Sequence, residues 1–442
     1  MKVGLLFLFI FSQFCFAQRG FVIPDKQKKI TIPFETINNL VFITVEINQV
    51  PLTFLLDTGV AQTILFSLGD KEIDLHNKEK MKFSGLGGDK EVEGIRSRNN
   101  IVKITDQYID HQHTIYIVLD ENFNFSTFIG IPVHGIIGYD FFKNHPVEIN
   151  YLSKKITIYN DENYYKRKTK KFTELPLQIE NSKPYLIGNV DLTTQKSSSK
   201  VLIDTGNSDA LWLFPNKMEG FFHDHPNIED FLGRGFNGDI HGKRTRIHNF
   251  YIGDFQVKEP ITSVPDAASI KQLQFEKDRE GSIGSEIMRR FTTIYDYKNS
   301  KILLKKNKNY DEPFHLNMSG LDFKHIGMKW EKEYLKLIEP KTDGAQNKES
   351  VASLVNFQYK FVLKPVFAIA GIRENSPAYL AGIKKNDVVE TINGRSISDL
   401  KLEDINQMMR KDEGRIIRIE ITRKEVPMNF SFILTDPIPY KE

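Results

Sequence analysis

Apolar and polar residues alternate with a period of two along much of the chain, the pattern of strands that bury one face. Val41, Ile43, Val45 and Ile47 share one side of such a strand. Asn48-Gln49 turns it back into Leu52 to Leu56, which ends at Asp57. Leu186 to Leu192 and Lys200 to Ile203 repeat the scheme, with a longer connection from Thr193 to Ser199, and end at Asp204. The two stretches share more than a rhythm. Leu55-Leu56-Asp57-Thr58-Gly59 is matched 147 positions on by Leu202-Ile203-Asp204-Thr205-Gly206, and Gly135-Ile136-Ile137-Gly138 is matched 146 positions on by Gly281-Ser282-Ile283-Gly284. Without a gap, Ile149-Asn150-Tyr151 and Lys155 then correspond to Tyr295-Asp296-Tyr297 and Lys301. A duplicated, strand-rich unit is expected, each copy a small β-barrel-like lobe.

From Phe361 the pattern changes. Ser376 caps a very short helix, Pro377 takes its first position, and Gly382 stops it. Val388 to Ile392 reads as a strand and Asn393-Gly394 as a hairpin-type turn. Leu402, Ile405 and Met409 fall on one face of a helix expected to begin near Ser398, and Ile416 to Thr422 is a further alternating strand.

The start of the chain follows neither period. Met1-Lys2 precedes an uncharged apolar run from Val3 to Ala17, short for a spanning helix, and Cys15-Phe16-Ala17 offers small residues to a signal peptidase. Residues 1–17 are expected to be a signal peptide and Gln18 the mature N-terminus, which makes the protein exported, to a bacterial periplasm or envelope or secreted. The whole chain carries a net charge of +3, and losing Lys2 leaves +2, so no net field steers it toward nucleic acid. The single cysteine, Cys15, leaves with the signal peptide. Disulfides, cysteine-built zinc sites and thiol catalysis are thereby excluded from the mature chain. With 442 residues, 40% of them hydrophobic, the length allows about three ordinary globular domains.

Two Asp-Thr-Gly loops after equivalent strands imply a specific chemistry. Two carboxylates brought within a few Å hold one proton between them, so one serves as base while the other serves as acid. A water between them can be deprotonated as it attacks a peptide carbonyl, while the protonated partner donates to the carbonyl oxygen. Neither a metal nor a cofactor is required. Gly59 and Gly206 permit the sharp turns that let the loops meet, and the Thr58 and Thr205 hydroxyls are placed to hydrogen-bond across them. The alternative is a duplicated β-domain in which these loops are only tight turns.

On these motifs, residues 29–307 resemble the aspartic proteases, of the retropepsin-like kind found among bacterial exported proteins. The resemblance implies a mainly β, two-lobed fold with one catalytic aspartate, Asp57 or Asp204, per lobe. It implies that the Gly-x-Ile-Gly segments pack behind their own loops, and that a monomer suffices because both aspartates lie in one chain. It also implies a glycine-rich flap over the substrate, for which Gly85-Leu86-Gly87 in the first half and Gly235-Phe236 in the second are the candidates. Where pepsin-like enzymes place Ser or Thr after the glycine, this chain has Val60 and Asn207. Losing a hydrogen bond to the charged form raises a carboxyl pKa, so activity nearer neutral pH than pepsin's is expected.

The order Ser376-Pro377-Ala378, Ala381-Gly382-Ile383, Asn386-Asp387-Val388 and Ile392-Asn393-Gly394, then helix, then strand, resembles a PDZ domain over residues 367–436. The resemblance implies an α+β module that takes an extended peptide as an added strand or captures a peptide C-terminus on backbone N–H groups. The candidate capture loop is Gly320-Leu321-Asp322-Phe323, separated from the rest by a polar stretch from Glu339 to Ser350. The expected domains are a signal peptide (1–17), two protease lobes (18–160 and 161–310) and a PDZ-like domain (316–437). His111/His113 and His223/His225 have the spacing to share a strand face, with no third ligand placed by spacing, so no metal is expected. Lys166 to Lys171, between the repeats, reads as a solvated linker. The expectation is an aspartic endopeptidase acting on protein or peptide substrates. The alternative is a non-catalytic peptide-binding scaffold with the same cleft.

Overall fold

A computed structural model describes residues 20–83, 92–118, 125–192, 196–235, 238–267, 278–334 and 359–440. The fold is mainly β, two lobes with matching sheets followed by a C-terminal α+β domain at the position of the expected PDZ domain. Each lobe has its own sheet. In the first, the Asp57-bearing strand Val50–Leu56 lies between Leu40–Ile47, antiparallel, and Gly135–Ile137, parallel, with Leu56 opposite Ile137. In the second, Lys196–Ile203 lies between Lys183–Asp191, antiparallel, and Arg279–Ile283, parallel, with Ile203 opposite Ile283. The sequence repeat is thus a repeat of pairing, register included.

The conserved spacing of glycines between the two copies follows from this packing. A Cβ on Gly138 would stand 1.9 Å from the Val60 carbonyl oxygen, and one on Gly284 would stand 2.2 Å from that of Asp209. Each Gly-x-Ile-Gly therefore passes directly against the backbone that follows its own aspartate.

A third sheet of six strands joins the lobes, three from each half in mirror order. Lys29–Pro33, Lys155–Tyr159 and Val147–Asn150 meet Phe291–Asp296, Lys301–Lys306 and Thr173–Pro176, and the junction pairs Val147 with Tyr295 and Ile149 with Thr293. One continuous apolar core runs through both lobes, from Phe21 to Leu316, and it also takes in Ile438 from beyond the PDZ domain. The stretch Lys166 to Lys171 is not simply a linker. Asp161 accepts a hydrogen bond from the Tyr164 N–H, capping a helix Glu162–Thr169 whose basic side chains face solvent while Tyr165 is buried and donates to Asp296.

The PDZ domain has its own core, built from Met318 through Leu434. Ser376 accepts from the Tyr379 N–H at the start of helix Pro377–Leu380. Asn393 and Gly394, both at positive φ, turn Val388–Ile392 into Arg395–Ser396. The second helix starts later than expected, at Leu402–Met408, because Ile397–Asp399 forms a 3-10 turn first. Gly320 to Phe323 does open the first strand of the domain. Leu321–Tyr334 pairs with Tyr359–Ile372, Leu321 opposite Ile372, and the polar stretch Glu339 to Ser350 lies outside the described residues.

Candidate active site

Asp57 and Asp204 each follow the end of a buried strand and are brought together at the base of the cleft between the lobes. Their backbone N–H groups donate to Ile137 (3.0 Å) and Ile283 (2.9 Å), which fixes each loop on its Gly-x-Ile-Gly strand. Across the pseudo-twofold, the Thr58 N–H donates to Thr205 Oγ1 and the Thr205 N–H to Thr58 Oγ1, both at 3.0 Å. The same hydroxyls donate onward, Thr58 to the Ile203 carbonyl (2.7 Å) and Thr205 to the Leu56 carbonyl (3.0 Å). Both threonines are fully buried.

The carboxylates lie against each other's glycine. The Gly206 N–H is 3.1 Å from Oδ1 of both Asp204 and Asp57, and the Gly59 N–H donates to Asp57 Oδ1 at 2.7 Å. A Cβ on Gly206 would meet Asp57 Oδ2 at 2.2 Å, and one on Gly59 would meet Asp204 Oδ1 at 2.9 Å. Only glycine permits this approach.

Burial raises the Asp57 carboxyl well above the ordinary range, and the charge of Asp204 raises it further. Burial also raises Asp204, but Arg279 and Lys183 on the cleft wall oppose it. The hydrogen bond between the two carboxyls raises Asp57 and lowers Asp204, so the two titrate together as a pair that favours one shared proton. Neither position after the glycine supports a carboxylate with a hydroxyl. The Val60 carbonyl accepts from Tyr139, and Asn207 Oδ1 accepts from the Asp209 N–H at 2.9 Å. Beneath the pair, the Tyr297 hydroxyl is buried with no hydrogen-bond partner among the described residues, and the negative charge of Asp57 adds to burial in raising it.

The cleft is a continuous cavity of about 1640 Å³. Its described walls include the hairpin Asn227–Gly235 and Gly238–Arg246 of the second lobe and the segment around Phe125, Phe128 and Ile129 of the first. Of the flap candidates, Gly85, Leu86, Gly87 and Phe236 lie outside the described residues. Gly235 pairs with Gly238 at the end of the second-lobe hairpin, whose Phe231 and Gly233 line the cavity.

Sequence reasoning missed the charged residues of this wall, because they come together only in the fold. Arg244 reaches Asp230 (2.8 Å) and Asp209 (2.9 Å), and Trp212 donates to Asp209 at 2.8 Å. The histidine pairs do not converge. A bulge puts Asn100 opposite His113 but Val102 opposite Asp110, leaving His111 exposed while His113 is buried between Asp110 (2.8 Å) and Thr63 (2.7 Å). His225 stacks on Phe221 with ring centroids 3.9 Å apart, and His223 is exposed. Among the described residues, no group of three His, Cys, Asp or Glu side chains is placed to hold a metal ion.

Residues 43–141 match a family model described as aspartyl protease, and residues 369–423 match one described as PDZ domain. A solved aspartic proteinase from Irpex lacteus is similar over 64% of this chain and 99% of its own, at 13% identity and a TM-score of 0.45. No curated protein is similar to the chain at a significant level. The chain thus carries an aspartyl protease-like domain and a C-terminal PDZ domain.

Proposed function

We propose that the protein is an aspartic endopeptidase in which Asp57 and Asp204 activate a water between them. The observation that carries this reading is the reciprocal threonine grip, with each carboxylate seated against the opposite glycine. A loop that served only as a turn would need neither the second copy nor the exchange of hydrogen bonds.

The charge asymmetry divides the work. Asp204, whose ionised form Arg279 and Lys183 favour, takes a proton from the water. Asp57, holding the shared proton, donates it to the carbonyl oxygen as the tetrahedral centre forms. Collapse then requires a proton on the leaving nitrogen, which Asp204 returns while Asp57 recovers its own from the gem-diol. Each peptide bond hydrolysed consumes one water and leaves the pair as it began. With both carboxyls raised and no hydroxyl after either glycine, activity extends toward neutral pH.

The PDZ domain positions protein or peptide substrate, and export follows from the pattern of residues 1–17, which lie outside the described residues. A digest of a mixed peptide library by residues 18–442 between pH 3 and 8 tests the function. Internal cleavage, blocked by statine-type peptides, is expected. Binding without product at every pH would establish the peptide-binding scaffold instead.

A further inference from the structure

The PDZ domain does not stand apart from the cleft. On the first lobe, Asn38 donates its N–H to Glu403 (2.5 Å), and Asn406 donates to the Asn38 side chain (3.0 Å). Leu402 lies so close to Gly130 that a Cβ there would be 3.1 Å from its own. On the second lobe, Arg246 donates to the Ile438 carbonyl (2.9 Å) and pairs with Asp436 (2.9 Å), and His248 meets the Tyr440 hydroxyl at 2.5 Å. Arg373 faces Asp230 at 3.8 Å. The domain therefore bridges the two lobes, and its residues line the same cavity as Asp57 and Asp204.

The charges on this third wall are unevenly matched. Arg373 is engaged by Asp230 and by the Asn317 carbonyl, and Arg244 opposite is neutralised by Asp209 and Asp230. Lys324, Lys385 and Arg410 line the cavity, yet among the described residues none has a side-chain hydrogen bond or ion pair. Asp322 and Glu374 are the acidic groups that the same domain adds to the cavity lining among the described residues. The Asp322 side chain is open to the cavity yet crowded by protein, and no hydrogen bond holds it among the described residues. Burial and the neighbouring Asp230 raise it to about 6, against Arg244, Arg373 and Arg410. Arg410 acts on Asp322 only through its field; among the described residues no hydrogen bond or close ion pair joins Asp322 to Lys324, Lys385 or Arg410, which leaves them available to a carboxylate brought in by a ligand.

We propose that the PDZ domain forms the third wall of the substrate cleft, and that Lys324, Lys385 and Arg410 select peptides carrying an acidic side chain away from the scissile bond. This rests on the reading of the cleft as a peptide site and adds the class of peptide. A cation and a carboxylate inside a partly shielded cavity attract more strongly than on an open surface. The cluster is worth about five- to tenfold in affinity at low salt, and screening reduces it as salt rises.

The test uses residues 18–442 with Asp57→Asn, so that binding is read without turnover. Two amidated, dye-labelled random decapeptide pools are compared by fluorescence anisotropy, one containing Glu and the other Gln in its place. The Glu pool is expected to bind about five- to tenfold tighter in 50 mM salt, with the advantage shrinking in 500 mM. Lys324→Gln/Lys385→Gln/Arg410→Gln is expected to erase the difference. Asp322→Asn, which removes the competing carboxylate, is expected to enlarge it. Equal affinity for the two pools, including binding of neither, overturns the proposal, as does a preference that survives the triple substitution. A preference confined to free-acid peptides would also overturn it, in favour of terminal-carboxylate capture. Cleavage of the Gln pool by the unaltered chain reports separately on proteolysis, so the two readings fail independently.

Discussion

Replacing Thr205 by Val keeps the shape of the side chain and removes one hydroxyl. That hydroxyl accepts from the Thr58 N–H at 3.0 Å and donates to the Leu56 carbonyl at 3.0 Å. Thr205, Thr58 and Leu56 are all fully buried, so water cannot replace the lost partner. Each orphaned backbone group costs about 1–3 kcal/mol, giving about 2–6 kcal/mol for the pair. That is a large share of a domain's usual stability of about 5–15 kcal/mol. Thr205→Ser keeps the hydroxyl and loses one buried methyl, at about 1 kcal/mol. Because Thr58 makes the mirror set of bonds, Thr58→Val should cost the same within about 1 kcal/mol. Equilibrium urea unfolding measures these differences, with Trp212 in the second-lobe sheet and Trp330 in the PDZ hairpin as separate fluorescence reporters. The loss should appear in the transition seen by Trp212. A Thr205→Val protein within about 0.5 kcal/mol of the parent would refute the reasoning, as would a Ser variant as unstable as the Val variant.

The remaining expectations concern other parts of the molecule. Gly138→Ala places a Cβ 1.9 Å from a backbone oxygen, and Gly284→Ala one at 2.2 Å; each should lose about 3 kcal/mol or more or fail to fold, read by thermal unfolding. Tyr297→Phe removes a buried hydroxyl that has no partner among the described residues, so stability should stay level or rise by about 1 kcal/mol, measured the same way. Asp322 binds its proton more tightly in the folded chain than in the unfolded one, because its pKa is raised to about 6. It therefore subtracts stability as pH rises from about 4 to 6. Asp322→Asn should be more stable than the parent at pH 7.5 and lose that advantage by pH 3.5, as followed by urea midpoints. Arg279→Ala removes a cation that favours ionised Asp204, so the acid limb of the pH–rate profile should move to higher pH.

Much of the protease fold was legible because it is written twice. The Asp-Thr-Gly and Gly-x-Ile-Gly segments carry their own pairing, since a Cβ on Gly138 or Gly284 would strike backbone at 1.9 or 2.2 Å and one on Gly59 or Gly206 would strike the opposite aspartate. The short PDZ helix was readable for a similar reason, as Ser376 and Pro377 are local signals. The central sheet left only a faint trace, in Ile149-Asn150-Tyr151 and its counterpart, because its two halves become one sheet only through the pairing of Val147–Asn150 with Phe291–Asp296 across the repeat. The split of His111 from His113 depends on a bulge set by the partner strand, which period alone does not show. The PDZ wall had no signal at all. Asn38 and Glu403 are 365 positions apart, and nothing near either residue anticipates the other. The tail matters in the same way, since Ile438 belongs to the protease core. Truncation at residue 316 would therefore remove part of that core along with the PDZ domain, and point variants are the better probe of its role.

Replacing each aspartate singly and measuring hydrolysis bears most directly on the two-aspartate mechanism. Asp57→Asn and Asp204→Asn preserve shape and remove, respectively, the acid that holds the proton and the base that receives one. Both should fold and bind peptide as the parent does. With the parent's preferred library peptides, each should lose about a thousandfold or more in kcat/KM across pH 3 to 8, because acid–base assistance of this kind supplies about 10²–10⁴-fold per group. Cleavage that survives either substitution at a rate near the parent's would contradict the mechanism.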